Sequence, residues 1–158
     1  KIDEDLTRYL IDLSSEPLSQ KESEVLTNIL DSSRDLERIG DHGEALINLT
    51  DYIRRKKVEF SPAALQELDL IYNMTLSFIK ESLKSVEDND IELANSLVAK
   101  HEAIDKMERK LRKTHIHRLN RGECSTQAGV NFIDIISHYT RVADHAMNLA
   151  EKVQAEQI

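Results

Sequence analysis

Residues 35–46 read DLERIGDHGEAL and residues 139–150 read YTRVADHAMNLA, so one short phrase is written twice in a chain of 158 residues. A constant shift of 103 lays Asp31 on Asp134, Arg38 on Arg141, Asp41 on Asp144, His42 on His145 and Leu46 on Leu149. With one gap in the preceding loop, Ile2-Asp3 falls on Ile104-Asp105. A repeat of this length points to duplicated structural units rather than to a chance motif.

Local signals say what each unit is made of. Helix starts are predicted at Ser19 with Glu22, which have capping-box spacing, and at Ser61 followed by Pro62. Asn89 with Glu92, and Ser125, mark two more. The predicted helices run over about 2–13, 20–56, 62–87, 90–120 and 126–155, the fourth stopping at Arg121-Gly122. In the fifth, Phe132, Ile135, Tyr139, Val142, Ala146, Leu149 and Val153 alternate spacings of three and four, which lays one apolar stripe along the helix. Ile29, Leu36, Ile39 and Leu46 do so more loosely in the second. Long helices joined by short links predict an all-α, antiparallel bundle. The repeat divides it into residues 1–57, an incomplete first unit, and 58–158, a complete three-helix second unit, within one contiguous domain.

Composition narrows the function. Aromatic residues are 4% with no Trp, so aliphatic side chains must fill the core. A net charge of −8 opposes nonspecific nucleic-acid binding, which needs a basic field. It also opposes capture of a free anion without an intervening cation. The single Cys124 forms no internal disulfide. No apolar run reaches the roughly 20 residues of a membrane-spanning helix. The chain opens on Lys1, on a charged amphipathic segment, and is expected to be a piece of something larger. No nucleophile stands at a readable spacing from a base, and no glycine loop for phosphate is present, so catalysis is not expected.

ERIGDH (37–42) and TRVADH (140–145), each closing a three-helix unit, resemble the PhoU family of phosphate-regulation proteins. HIHRLNRGECSTQAGVNFIDIISHYTRVADHAMNLAE (115–151) resembles more closely the PhoU-like C-terminal cytosolic domain of bacterial sodium–phosphate cotransporters. The resemblance implies PhoU-like three-helix repeats, the first truncated, and a regulatory module that modulates phosphate uptake through metal or partner binding. The partner would be the membrane portion of the same transporter or a phosphate-signalling protein. The place would be the cytoplasmic side of the bacterial inner membrane, with the fragment itself soluble. Two other functions stand beside it: a free-standing PhoU-type adaptor and a purely structural dimerisation bundle.

In that family the acidic motifs hold metal clusters. Residues four apart share a helix face, so two carboxylates can reach one cation, and carboxylate and imidazole suit iron or zinc. The resemblance carries this role to Asp3, Glu37 and Asp41 in the first unit, and to His101, Asp105 and Asp144 in the second. The second unit has Thr140 where the family has an acid, so binding is expected to be weak or partial, and weaker there than in the first. His101, Asp105, Glu108, Arg112 and His115 form a stripe at spacings of four, three, four and three, with Arg112 a natural partner for carboxylates. Exposed acid pairs at this spacing are common without metal. His42 and His145 are expected to pack or hydrogen-bond, and Cys124 to be a bystander.

From Lys106 to Arg121 there are seven Lys or Arg and one acid, and Arg54–Lys57 is RRKK. Such cations near helix C-termini complement the macrodipole, which is the expected role. Contact with anionic lipid or with transporter loops is the alternative. Uncovered apolar stripes in the incomplete first unit lead to an expectation of self-association.

Overall fold

The computed structural model describes residues 2–14 and 17–155, with the side chains of Ile2 and Asp3 outside that description. Five helices follow one another: α1 (Ile2–Ser14), α2 (Gln20–Lys56), α3 (Pro62–Glu87), α4 (Ile91–Asn120) and α5 (Thr126–Gln154), with no strand among the described residues. At about 1.5 Å per residue, the 37 residues of α2 span about 55 Å. Among the described residues no helix is long and apolar enough to cross a membrane.

The helices begin where their caps dictate. The Ser19 hydroxyl accepts from the Glu22 backbone N–H, and the Glu22 carboxylate accepts from the Ser19 N–H at 2.8 Å, which closes the expected capping box. Ser61 and Ser125 cap α3 and α5 by accepting from Ala64 and Ala128. One start differs from the sequence reading. The cap of α4 is Asp90, whose carboxylate accepts from the Leu93 N–H at 2.9 Å. Asn89 instead takes a left-handed conformation with φ 49°. Asparagine tolerates that region better than most residues, so the chain turns at Asn89 and hands the cap to its neighbour.

α5 is the axis of the molecule. It packs against α2, α3 and α4, whereas among the described residues α2 touches only α1 and α5, and α1 touches only α2. This explains why α5 is buried far beyond its expected stripe. Six of the seven stripe residues are buried and Tyr139 is half-buried, yet Ala128, Ile136, Ala143, Met147 and Ala150 are buried as well. Ala143, Ala146 and Ala150 are fully enclosed and let neighbouring backbones approach closely. Two apolar clusters result. Phe78, Leu97, Ile104, Met147 and Val153 centre one. Phe132, Ile71, Leu111 and Ile136 centre the other. Gly129 admits the end of α4, since a Cβ there would lie 2.6 Å from the Leu119 side chain.

The face that α2 turns to α5 is not the one its apolar residues suggested. Ile39 and Leu46 are partly buried, but Leu36 is 49% exposed and Ile29 sits at 37%. In their place the seam holds Asp35, which is buried. An acid in seam register breaks the apolar period, and only tertiary partners make it tolerable.

Candidate functional site

His101 on α4 and Asp144 on α5 meet across the helix pair, with Nε2 and Oδ1 3.0 Å apart. Asp105 lies one turn beyond His101, and ligand atoms from His101, Asp105 and Asp144 all lie within 4.8 Å of one another. No other set of three such residues converges this way among the described residues. The site is half-buried. The His101 ring tilts against the buried Phe78 ring at 5.8 Å, and Arg141 approaches Asp144 at 3.9 Å. A carboxylate accepts, so the neutral imidazole carries its proton on Nε2, and a metal ion would displace it. Ligand atoms around a metal with bonds of about 2.1 Å sit roughly 3–3.5 Å apart, a spacing the His101–Asp144 pair already has. One imidazole and two carboxylates fit a divalent transition metal and leave positions open.

The first unit looks different. Glu37 and Asp41 are both exposed on α2, and Asp41 pairs with Arg38 at 3.4 Å. Asp3, which would face them from α1, has its side chain outside the described residues. The three residues expected in the second unit are brought together. Glu37 and Asp41 join no such set among the described residues.

The rest of the α4 stripe is spent on holding helices together. Arg112 pairs with Glu108 and donates to the Ser137 hydroxyl at 3.0 Å. His115 is 1% exposed and stacks on Phe132, with ring centroids 4.2 Å apart and planes 7° from parallel. Burial first, and then the Arg118 charge, hold its pKa below the ordinary imidazole value of 6.5, with Glu67 opposing. Cys124, expected to have no activating neighbour, lies 3.9 Å from His115 Nε2. The neighbour is nevertheless not a base. Arg118 can only donate, and its contact with His115 Nδ1 at 3.2 Å places the imidazole proton on Nε2, facing the sulfur.

A second polar cluster lies in the α2–α5 seam. His145 Nδ1 meets Asp35 Oδ1 at 2.9 Å, Asn148 donates to the same oxygen at 2.9 Å, and Lys152 approaches Asp35 at 3.5 Å. His42 Nδ1 meets His138 Nδ1 at 3.0 Å. The 103-residue shift relates these contacts: His42 corresponds to His145, and Asp35 to His138. The two equivalent imidazoles stack on each other at 5.8 Å, so the repeat axis runs between them. His42 and His145 are thus hydrogen-bonding residues, as expected. Asp35, His138, Asn148 and Lys152 were missed, because matching identical residues passes over an Asp facing a His in the same register.

Comparison with known proteins fits this geometry. The profile described as the PhoU domain matches residues 68–153. Phosphate-specific transport system accessory protein PhoU homolog 1 of Thermotoga maritima is 32% identical over 133 residues, covering 84% of this chain and 56% of that protein. The PhoU homolog of Streptococcus pneumoniae, named with the same accessory role, is 28% identical over 126 residues, covering 80% and 57%. The chain thus spans little more than half the length of these relatives. The crystal structure of the phosphate transport system regulatory protein PhoU from Streptococcus pneumoniae superposes with a TM-score of 0.76 at 22% identity, covering 96% of this chain and 73% of that one. PhoU from Pseudomonas aeruginosa gives 0.79 at 20% identity, covering 96% and 76%.

Proposed function

The chain belongs to the PhoU family, and from that premise we propose that it is a non-enzymatic regulator of phosphate transport. It acts as an adaptor at the cytoplasmic side of the membrane, engaging a component of the phosphate-uptake or phosphate-signalling machinery. The observation that carries this reading is the family match over residues 68–153, inside the complete three-helix unit that also holds the His101–Asp105–Asp144 set. Relatives named as accessory proteins favour an adaptor over a transporter segment.

We assign iron or zinc to the second unit, held by His101, Asp105 and Asp144. The residues present fit such an ion, which would supply a fixed cross-link between α4 and α5. Asp3, Glu37 and Asp41 remain the ligand set proposed for the first unit, with weak or partial occupancy. Uncovered apolar side chains on α1 and α2, among them Ile11 and Ile47 at 57% and 66% exposure, support self-association.

The role is tested in a bacterium deprived of its own PhoU, with a phosphate-responsive reporter as readout. Restored repression is expected, and persistent derepression at normal protein levels overturns the adaptor reading. Metal is tested separately, by elemental analysis of protein purified without a His tag and by zinc titration. Asp105→Asn with Asp144→Asn should abolish the second-unit site; undiminished zinc binding would refute the assignment.

A second reading, the cytosolic domain of a sodium–phosphate cotransporter, is favoured by the wording of residues 115–151. The native reading frame upstream of Lys1 separates the two. Several hundred apolar-rich residues would support the transporter domain, and a short lead without them the adaptor.

A further inference from the structure

We propose that the end of the bundle where α2 and α4 terminate is a docking face for an anionic lipid bilayer. Arg54–Lys57 contributes four cations, and residues 106–121 contribute seven, more than half of the chain's 21 Lys and Arg. The fold brings the C-terminal ends of both stretches to one end, with Arg109, Lys110 and Lys113 about 10–16 Å back along the adjoining flank of α4. Gln127 at the start of α5 donates to the Tyr52 hydroxyl near the end of α2 at 2.9 Å. Phe60, in the link that follows α2, packs edge-on against Phe132 of α5 at 6.5 Å. The short link between Asn120 and Thr126 sets the last turn of α4 beside the first of α5.

The helix dipole explains only part of this charge. Its influence fades within the final turn, which in α4 contains His117 and Arg118. Arg109, Lys110 and Lys113 lie upstream of it and are exposed. Five of the eleven cations are paired within the protein: Arg54 with Asp51, Lys106 with Glu102, Arg112 with Glu108, Arg118 with Glu67 and Arg121 with Glu123. Among the described residues, Lys56, Lys57, Arg109, Lys110 and Lys113 have no carboxylate within 4.0 Å. The chain as a whole carries −8, and the α3–α4 turn at the opposite end holds Glu87, Asp88, Asp90 and Glu92. The molecule is therefore polarised along its length, and an anionic surface attracts one end and repels the other.

The partner is a plane rather than a peptide. Among the described residues α2 and α4 flank α5 without touching each other, so an extended surface set against this end and the adjoining flank of α4 would reach both clusters, while a short acidic peptide would meet one. Ile116 at 46% exposure and Val130 at 57% offer apolar contacts at the same end. The proposal rests on charge placement alone and does not depend on the adaptor reading.

The test is co-sedimentation with vesicles of phosphatidylcholine containing one-third phosphatidylglycerol, at low and high salt. Binding is expected at low salt and lost at high salt, with none to pure phosphatidylcholine. Each exposed cation near the surface multiplies partitioning about five-fold, so Arg109→Gln/Lys110→Gln/Lys113→Gln should weaken it about 100-fold. Lys21→Gln/Lys80→Gln/Lys84→Gln, which removes the same charge elsewhere, should weaken it far less. No low-salt binding, equal losses in the two triples, or equal binding to neutral vesicles would each overturn the proposal. Release by inorganic phosphate at constant ionic strength would assign the clusters to the free anion and also overturn it.

Discussion

Replacing Asp35 by Ala should destabilise the α2–α5 seam by about 2–4 kcal/mol. Asp35 receives His145 and Asn148 at 2.9 Å and Lys152 at 3.5 Å, and its side chain is 12% exposed. Removing one partner of a buried ion pair costs about 3–5 kcal/mol, because the other charge is left behind. Lys152, at 13% side-chain exposure, would be that orphan. His145 is 23% exposed and recovers some hydration, which lowers the expected loss. A change of about 3 kcal/mol is a more than 100-fold change in the folding equilibrium. Urea unfolding followed by far-UV circular dichroism at pH 7.5 reads it out, with Lys152→Met and the double variant completing a cycle. The double variant should lose less than the two single losses added together. Because among the described residues α2 touches only α1 and α5, the lost stability should surface as faster hydrogen exchange in α1 and α2 before α3. A loss below about 0.5 kcal/mol at unchanged m-value, or strict additivity in the cycle, would refute the reasoning.

Other expectations are more local. His115 is held neutral by burial, so its pKa is below 6.5 in the folded chain and ordinary in the unfolded one. The unfolded chain then binds more protons, and this contribution is complete above about pH 7 and falls away as pH drops below 6.5. His115→Gln should flatten stability between pH 7.5 and 5.5 relative to the parent; an identical slope in chemical denaturation would count against it. The Thr75 hydroxyl is buried without a partner in the structure, so Thr75→Val should leave stability unchanged or raise it by about 1 kcal/mol in thermal melts, and a clear loss would reveal a missing contact. Gly129→Ala forces its new methyl against Leu119 and should cost about 1–2 kcal/mol, with most of it recovered by Leu119→Ala as a second change.

Legibility in the sequence followed the physics of each signal. Caps at Ser19, Ser61 and Ser125 were readable because they depend on a few neighbouring residues. Asn89 and Asp90 were confused because both can cap, and only the backbone conformation of Asn89 separates them. The exposed position of Leu36 and the buried one of Asp35 could not be read locally, since what tolerates the acid arrives from a helix 110 residues later. The second-unit residues His101, Asp105 and Asp144 were found through resemblance and are brought together by the fold. Glu37 and Asp41 stand exposed, and Asp3, which completes their expected set, has its side chain outside the described residues. The basic runs were visible as composition, but that they share one end depends on the path of the chain.

The paired contacts at the repeat axis bear on what fusion permits. Two identical units related by a true twofold would repeat one contact, either two His–Asp pairs or two His–His pairs. In this chain one side keeps the carboxylate, Asp35, while the other has an imidazole, His138. Halves encoded in tandem can diverge at equivalent positions on the two sides of their axis, which two copies of one chain cannot, and the covalent link is what makes such private change heritable. A separated second unit, forced to dimerise with itself, would bring His138 opposite His145 twice and forfeit the Asp35 carboxylate that His145 meets in this chain.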